Sequence, residues 1–286
     1  MGSSWLLARL PSAVVDALAT AMGSMTYCAW RDKAAITRAN FALVVDQPTD
    51  SLAVRRLARL AFCNYARILL EFVLFPSLSL DQIRSRVRHR GLEAFDQALR
   101  DGRGAILATP HMGNWDLAGA YSGILGYRVT TVATRFPEPI DQVVVEARQR
   151  VGLEILRPDR KTLRILEQRL AANRTVGLIC DLALTGGIAV ELFGGRANVP
   201  AGPAHLALKT GAALFPVIIY RDGDGIYQHE ILERLETMPT GNLRADVTKL
   251  TQRLWDALAS GIARHPDQWY PFHPMLSVAA TAPQVV

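Results

Sequence analysis

Apolar residues recur at helical spacing through most of the first ninety residues. Residues 10–30 are predominantly apolar, and residues 55–74 place leucine, isoleucine and aromatic side chains three or four positions apart, with arginines between them. A basic run, DQIRSRVRHR at 81–90, follows. This run is typical either of a solvated linker or helix face, or of a contact to phosphates or lipid headgroups. The pattern predicts a helical N-terminal region over residues 1–90.

The pattern changes after residue 90, where short apolar runs typical of strands alternate with amphipathic segments typical of helices. The predicted strands occupy residues 105–109, 127–133, 153–156, 175–180, 188–193 and 213–220, with one more after a turn at 222–225. The predicted helices occupy residues 92–100, 140–150, 161–173, 202–209 and 243–264. This alternation predicts an α/β fold with a central mixed, mostly parallel β-sheet flanked by helices. We assign residues 91–275 to this core and residues 276–286 to a flexible tail, within one structural domain.

The apolar stretch at 10–30 is interrupted by Asp16, and no clean apolar window reaches about 18 residues, the length that suggests a transmembrane helix. The start of the chain, MGSSWLLARL, lacks the layout of a signal peptide. We therefore expect the stretch to form either an amphipathic helix lying on a membrane surface or an ordinary buried helix. The first alternative would make the N-terminal region membrane-associating.

The composition is basic and rather apolar. The formal net charge is +6, the isoelectric point is about 9.5, and the mean hydropathy is +0.13. This combination favours an anionic lipid, membrane surface or cofactor as partner. Cys28, Cys63 and Cys180 lie in separate segments with no CxxC pair, so we expect no disulfide framework and a reducing, cytosolic setting.

The strongest candidate for chemistry follows the first predicted strand, in HMGNWD at 111–116. His111 comes just past the carboxyl end of that strand, where open α/β sheets bind their ligands. The loop leads into a helix whose first N–H groups can hold an oxyanion. A bend in the loop would bring Asp116 to His111 and make the imidazole a better base. The alternative is that Asn114 or Asp116 only caps the helix and His111 is an ordinary loop histidine.

Other chemistries find little support in the sequence. It contains neither the G-x-S-x-G nucleophile elbow nor the G-x-x-x-x-G-K-[ST] phosphate loop. The six histidines do not pair at metal-ligand spacing, so we expect no metal site. Aromatic residues are not interleaved with the arginines, so we expect no nucleic-acid partner.

Five blocks, in order, resemble the lipid A lauroyl/myristoyl acyltransferase family, and most closely its phosphatidylinositol mannoside acyltransferase branch. They are ATPHMGNWDLAGAY at 108–121, TTVATR at 130–135, EARQRVGLEIL at 146–156, CDLALTGGIAVELFG at 180–194 and NVPAGPAHLALKTGAALFPV at 198–217. An H-x4-D motif alone is a weak signal, but five ordered blocks are specific.

The resemblance implies an O-acyltransferase that moves a fatty acyl chain from an acyl thioester to a hydroxyl of a glycolipid. His111 falls on the family's catalytic histidine and Asp116 on the acid of its motif. Asp181 falls where the mannoside branch carries a glutamate that also contacts the histidine, although Asp181 is one methylene shorter. The resemblance thus implies that His111, Asp116 and Asp181 are catalytic.

The resemblance also places Arg135 and Arg148 on basic positions near the active site. With Gly113 and Asn114, these are the residues that we expect to bind substrate. In the implied mechanism, His111 takes the proton of the acceptor hydroxyl, Asp116 orients His111, and no acyl-enzyme forms. No cofactor is expected; acyl-CoA or acyl-carrier protein serves as co-substrate.

A mannosylated phosphatidylinositol is the favoured acceptor. The alternatives are another lipid acceptor such as a lipid A precursor or a lysophospholipid, a thioester hydrolase, or a non-catalytic lipid-binding relative. We expect a monomer that is held peripherally at the cytoplasmic face of the cell membrane by anionic lipid.

Overall fold

Two β-sheets and the helices around them make up the fold in a computed structural model that describes residues 12–182 and 187–278. The α-helices are α1 (Ser12–Ala29), α2 (Arg31–Val44), α3 (Leu52–Leu74), α4 (Leu80–Arg86), α5 (Leu92–Arg100), α6 (Trp115–Ile124), α7 (Ile140–Arg150), α8 (Thr162–Ala171), α9 (Gly202–Thr210) and α10 (Leu243–Arg264). The strands are β1 (Val87–Arg90), β2 (Ala105–Thr109), β3 (Val129–Val132), β4 (Glu154–Leu156), β5 (Thr175–Ile179), β6 (Ile188–Leu192), β7 (Gly195–Val199), β8 (Ala213–Arg221), β9 (Tyr227–Ile231) and β10 (Leu276–Val278).

The larger sheet has seven strands in the order β1-β9-β8-β2-β5-β3-β4. All neighbouring strands pair in parallel except β8 and β9, which are antiparallel. Helices flank this sheet, so the predicted α/β fold with a mixed, mostly parallel sheet is confirmed. The smaller sheet is antiparallel, with the order β10-β7-β6.

The core lies on both faces of the larger sheet because its central strands are apolar at every position. In β2, Ile106 and Ala108 belong to one buried cluster, whereas Ala105 and Leu107 belong to another. Successive strand residues point to opposite faces, and a parallel sheet is covered on both. This burial explains why β2 is a continuous apolar run that ends abruptly at Pro110.

Three strands in the described part of the chain were not predicted. Residues 87–90 of the basic run are strand β1, which pairs with β9 and buries Val87 while Arg88 stays exposed. Over these residues the expected linker or helix face is therefore wrong. β7 was also missed, and β10 shows that the first three residues of the expected flexible tail are paired with β7. Residues 279–286 of that tail lie outside the described residues, and the domain boundaries stay predictions.

Helix α1 confirms that the apolar N-terminal stretch is helical over Ser12–Ala29. One face of α1 packs on α3 at Gly23, where a Cβ would lie 2.4 Å from the Cα of Cys63. The other face exposes apolar side chains, namely Val14, Leu18, Met22 and Met25. In the part of the chain that the structure describes, no helix has the length and apolar character needed to cross a bilayer.

Candidate active site

The loop after β2 brings His111 to the carboxyl edge of the larger sheet. This loop turns at Gly113, whose φ is +55°. A Cβ at this position would lie 2.3 Å from the carbonyl oxygen of Ile219, so the close approach of the loop to β8 requires glycine. The Gly113 N–H donates to the carbonyl oxygen of Gln268 at 2.9 Å. Gly113 therefore shapes the loop, and its N–H is already engaged.

Asp181 is the partner of His111. It follows β5, which pairs in parallel with β2, and its side chain is fully buried. Its Oδ1 lies 2.6 Å from Nδ1 of His111. Its Oδ2 accepts the backbone N–H of His111 at 2.8 Å and the indole N–H of Trp269 at 3.0 Å. Three donors thus hold one buried carboxylate against the imidazole.

Charge and burial shift the pKa values of His111 and Asp181 in opposite directions. Burial alone would lower the pKa of His111, but the negative charge and hydrogen bond of Asp181 raise it above the ordinary value. Burial would raise the pKa of Asp181, yet His111 and Trp269 lower it. Asp181 is therefore a carboxylate at neutral pH, and it can accept only from an Nδ1–H tautomer of His111.

The Nε2 atom of His111 is the nitrogen left for a substrate. The described residues provide no hydrogen-bond partner for it, and the side chain keeps 25% of its surface exposed. Trp115 lies beside the imidazole, with ring centroids 5.1 Å apart. His111 thus combines a buried, oriented Nδ1–H with an accessible basic nitrogen, as general-base catalysis requires.

Asp116 does not contact His111, so the expectation that it orients the histidine is wrong. Its Oδ1 accepts from Nε of Arg148 at 2.8 Å and forms an ion pair with Nη2 of the same side chain at 2.7 Å, and both side chains are buried. Asp116 lies in the first turn of α6, and this placement directs its carboxylate toward α7. Asp116 and Arg148 instead join α6 to α7, next to the loop at residues 110–114, hereafter the catalytic loop.

Asn114 is buried, with both polar atoms of its side chain engaged. Its Oδ1 caps α6 by accepting from the Leu117 N–H at 3.0 Å, and its Nδ2 donates to Glu71 at 2.7 Å. Glu71 also accepts from the Tyr227 hydroxyl at 2.7 Å and from Arg67 at 3.1 Å. In this structure both polar atoms of Asn114 therefore belong to a buried network that supports the loop, and neither is left for the expected substrate contact.

The two predicted arginines lie in different environments. Arg148 is buried against Asp116 and lies over the Phe72 ring at 5.7 Å. Arg135 is exposed in the loop after β3. The pKa of Asp141 is lowered mainly by the Phe136 N–H, and the charge of Arg135 makes a smaller contribution. Of these two arginines, only Arg135 is exposed to an incoming anion.

Sequence reasoning missed Trp269 and Glu71. Trp269 belongs to QWYPFH at 268–273, a segment whose three aromatic residues are the signal that was available. Glu71 lies in the last full turn of an apolar helix, where a buried charge among leucines is unusual. Within the described residues, no three His, Cys, Asp or Glu side chains are grouped so that they could hold a metal ion.

Comparison with known proteins identifies the family. The family model described as "Bacterial lipid A biosynthesis acyltransferase" matches residues 1–277. The chain belongs to this family. The phosphatidylinositol mannoside acyltransferase of Mycolicibacterium smegmatis is 36% identical over 242 residues, which cover 83% of this chain and 77% of that protein. The protein of the same name from Mycobacterium tuberculosis is 35% identical over 218 residues, covering 74% and 67% respectively.

As a member of the lipid A biosynthesis acyltransferase family, the chain is an acyltransferase. This confirms the family resemblance and the enzyme class drawn from the five sequence blocks. The match also includes the N-terminal helices, which precede the blocks that carried the resemblance.

Proposed function

We propose that this acyltransferase moves a fatty acyl chain from an acyl thioester, carried on coenzyme A or acyl-carrier protein, to a hydroxyl of a glycolipid. The observation that carries the proposal is the His111–Asp181 pair. Asp181 engages Nδ1 of His111, and Nε2 of His111 remains accessible to substrate at the carboxyl edge of the larger sheet. The names of the mycobacterial relatives favour a mannosylated phosphatidylinositol as acceptor.

The proposed reaction is a direct transfer. Nε2 of His111 takes the hydroxyl proton while the acceptor oxygen bonds to the thioester carbonyl carbon. Asp181 stabilises the imidazolium that forms. The C–S bond then breaks, and the imidazolium returns its proton to the leaving thiolate. Cys180 is an unsuitable nucleophile because burial raises its pKa well above the ordinary value and keeps the thiol neutral.

The surrounding residues divide between substrate contacts and support. Arg135 is exposed and suits a phosphate of the donor or the phosphodiester of the acceptor. N–H groups at the start of α6 suit the oxyanion, at about 3 kcal/mol for each good donor. Gly113, Asn114 and the Asp116–Arg148 pair support the loop from behind, because their polar groups are bonded within the protein.

The N-terminal helices are the proposed membrane contact. The outward face of α1 exposes Leu18 and Met22, and α3 exposes Leu69 and Val73. Exposed arginines lie nearby in sequence, at Arg84, Arg88 and Arg90. Apolar side chains in the interface and arginines at anionic headgroups would hold the enzyme peripherally at the cytoplasmic face, where a lipid acceptor is reached.

Acceptor-dependent thiol release by the purified protein tests the proposal. The assay offers acyl-CoA or acyl-carrier protein with a phosphatidylinositol mannoside, a lipid A precursor, a lysophospholipid or no acceptor. We expect thiol release and an acylated mannoside only when the mannoside is present. Free fatty acid formed without acceptor would indicate a thioester hydrolase, and no thiol release with any acceptor would indicate a lipid-binding relative.

A further inference from the structure

Residues 268–273 pack against the catalytic loop and fix its position through backbone hydrogen bonds. The Gln268 carbonyl accepts the N–H of Gly113 at 2.9 Å, and the Tyr270 N–H donates to the carbonyl of His111 at 3.0 Å. In addition, Nε2 of His273 donates to the backbone carbonyl of Asp181 at 2.8 Å. This segment therefore contacts both members of the catalytic pair through bonds that do not involve the reacting atoms.

Trp269, in the middle of that segment, reaches the Asp181 carboxylate itself. Its indole N–H donates to Oδ2 at 3.0 Å, and the side chain is fully buried. Phe41 packs edge-on at a centroid distance of 6.1 Å, and Phe193 lies tilted at 6.3 Å. The indole is thus fixed by two aromatic neighbours and a bridge from its backbone to Met112.

The hydrogen bond is on the oxygen that does not receive the imidazole proton. Oδ1 faces Nδ1 of His111, whereas Oδ2 takes the Trp269 N–H together with the His111 backbone N–H. The backbone N–H would keep the carboxylate oriented without the indole. The indole N–H has a further effect: as a hydrogen-bond donor to the carboxylate, it stabilises the buried negative charge of Asp181.

We infer that Trp269 is a positioning residue that acts through Asp181: by sharing the carboxylate charge, it limits how strongly Asp181 favours the protonated form of His111. The inference rests on the proposed function, in which neutral His111 is the base. A base protonated too readily would be inactive at neutral pH, so the indole keeps the pair within its working range.

The titratable groups around the carboxylate do not provide the same effect. His111 is the group whose protonation the carboxylate affects, and the hydrogen bond from His273 goes to the backbone carbonyl of Asp181 and not to its carboxylate. Cys180 is neutral because burial raises its pKa. Trp269 is the remaining side-chain donor to Asp181 among the described residues.

Trp255 offers a matched control. It is fully buried, and its Nε1 has no hydrogen-bond partner among the described residues. It belongs to the same hydrophobic cluster as Trp269. Replacing either tryptophan by phenylalanine removes the same volume and the same N–H, but only Trp269→Phe removes a donor from Asp181.

The test is an NMR titration of His111 in the wild type, Trp269→Phe and Trp255→Phe, with the signal assigned by its absence from His111→Gln. We expect the His111 pKa to rise by about 0.5 to 1 pH unit in Trp269→Phe and to stay within about 0.2 unit in Trp255→Phe. The activity of Trp269→Phe at pH 7 should fall several-fold and recover as the pH rises. An unchanged or lowered His111 pKa, or an equal rise in both variants, would overturn the inference.

A shape-conserving replacement covers the case in which Trp269→Phe does not fold. Benzothienylalanine, introduced at position 269 alone, keeps the bicyclic shape and replaces the N–H by sulfur. The same rise in the His111 pKa is expected, and a protein that fails to fold would assign Trp269 a purely structural role and overturn the inference. Because the titration needs no substrate, the two failures can be told apart. A raised His111 pKa in a folded protein without acyl-transfer activity would refute the proposed function and support only the effect of the Trp269 N–H on the Asp181–His111 pair.

Discussion

Oδ1 of Asp181 lies 2.6 Å from Nδ1 of His111, although the two residues are 70 positions apart in the chain. The parallel pairing of β2 and β5, with Thr109 opposite Ile179, delivers the residues beyond each strand to the same edge. Asp116, much closer in sequence, directs its carboxylate to Arg148 instead. The sheet, and not the H-x4-D spacing, therefore selects the partner of the histidine.

Replacing Asp181 or Asp116 by asparagine should have different effects. Asp181→Asn should lower the pKa of His111, because the group that raises it is removed, and should reduce kcat by about two to four orders of magnitude. Asp116→Asn should leave the His111 pKa unchanged and cost about 3–5 kcal/mol of stability, since Arg148 stays buried without its partner. NMR titration and urea unfolding measure these effects.

The double variant Asp116→Asn, Arg148→Met is the control for that comparison. It removes the buried charge together with its partner, so much of the lost stability should return. A His111 pKa that moves as far in Asp116→Asn as in Asp181→Asn would contradict the assignment of partners.

Two helix caps permit a matched test of the network behind the loop. Asn114 caps α6 and Asn242 caps α10, each by accepting a backbone N–H three residues on, but only Asn114 also donates to buried Glu71. Asn242→Ala should cost about 1 kcal/mol of unfolding free energy. Asn114→Ala should cost about 2 kcal/mol or more, because Glu71 also loses a donor. Equal losses in urea unfolding would mean that the Glu71 contact contributes nothing.

A buried histidine pair should make the fold sensitive to acid. Nδ1 of His89 and Nδ1 of His229 are 2.7 Å apart, joining β1 to β9. Burial lowers the pKa of His89 to about 4 and that of His229 well below the ordinary value. The folded state thus binds fewer protons than the unfolded chain below about pH 6.5, so stability should fall as the pH drops from 6.5 toward 4.

Urea unfolding at several pH values between 7 and 4 measures this loss, which should be on the order of 3 kcal/mol from His89 alone. The comparison is with a His89→Gln, His229→Gln variant, in which the carboxylates titrate as before. The variant should lose less stability than the wild type across this window. Parallel curves for the two proteins would exclude the histidine pair as the cause.

Membrane binding should depend on the outward face of α1. We expect the wild type to float with vesicles that contain anionic lipid, and added salt to weaken binding. Leu18→Ser with Met22→Ser should reduce flotation, whereas Met238→Ser, a change at a methionine that is 75% exposed elsewhere, should not. Equal binding to neutral and anionic vesicles would refute the electrostatic part, and unaltered binding of the α1 variant would refute the apolar part.

The central strands and most helices were predictable because their signals are local. β2 is an apolar run bounded by glycine and proline. Helix α9 starts at Gly202-Pro203 and is capped after Thr210 by Gly211, whose φ is +72°. β1 was not predictable, because a four-residue segment with three basic side chains becomes a strand only through its pairing with β9. That pairing joins residues about 140 positions apart, a distance that periodicity does not register.

Of the candidate site, His111 and Asp181 were predictable, whereas Trp269 and the direction of the Asp116 side chain were not. His111 follows a recognisable strand, and the family resemblance pointed to Asp181. Trp269 lies 88 positions beyond Asp181 and follows a helix rather than a strand end, so no spacing rule connects the two. The direction of the Asp116 side chain depends on Arg148, which lies one helix away.

The most direct measurement of the proposed chemistry is acceptor-dependent thiol release from an acyl thioester by wild-type protein and by folded His111→Gln. If Nε2 of His111 is the base, the wild-type rate should rise with pH as the imidazole loses its proton. His111→Gln should be slower by a factor on the order of 10² to 10⁴. A His111→Gln protein that keeps near wild-type turnover would contradict general-base catalysis by His111.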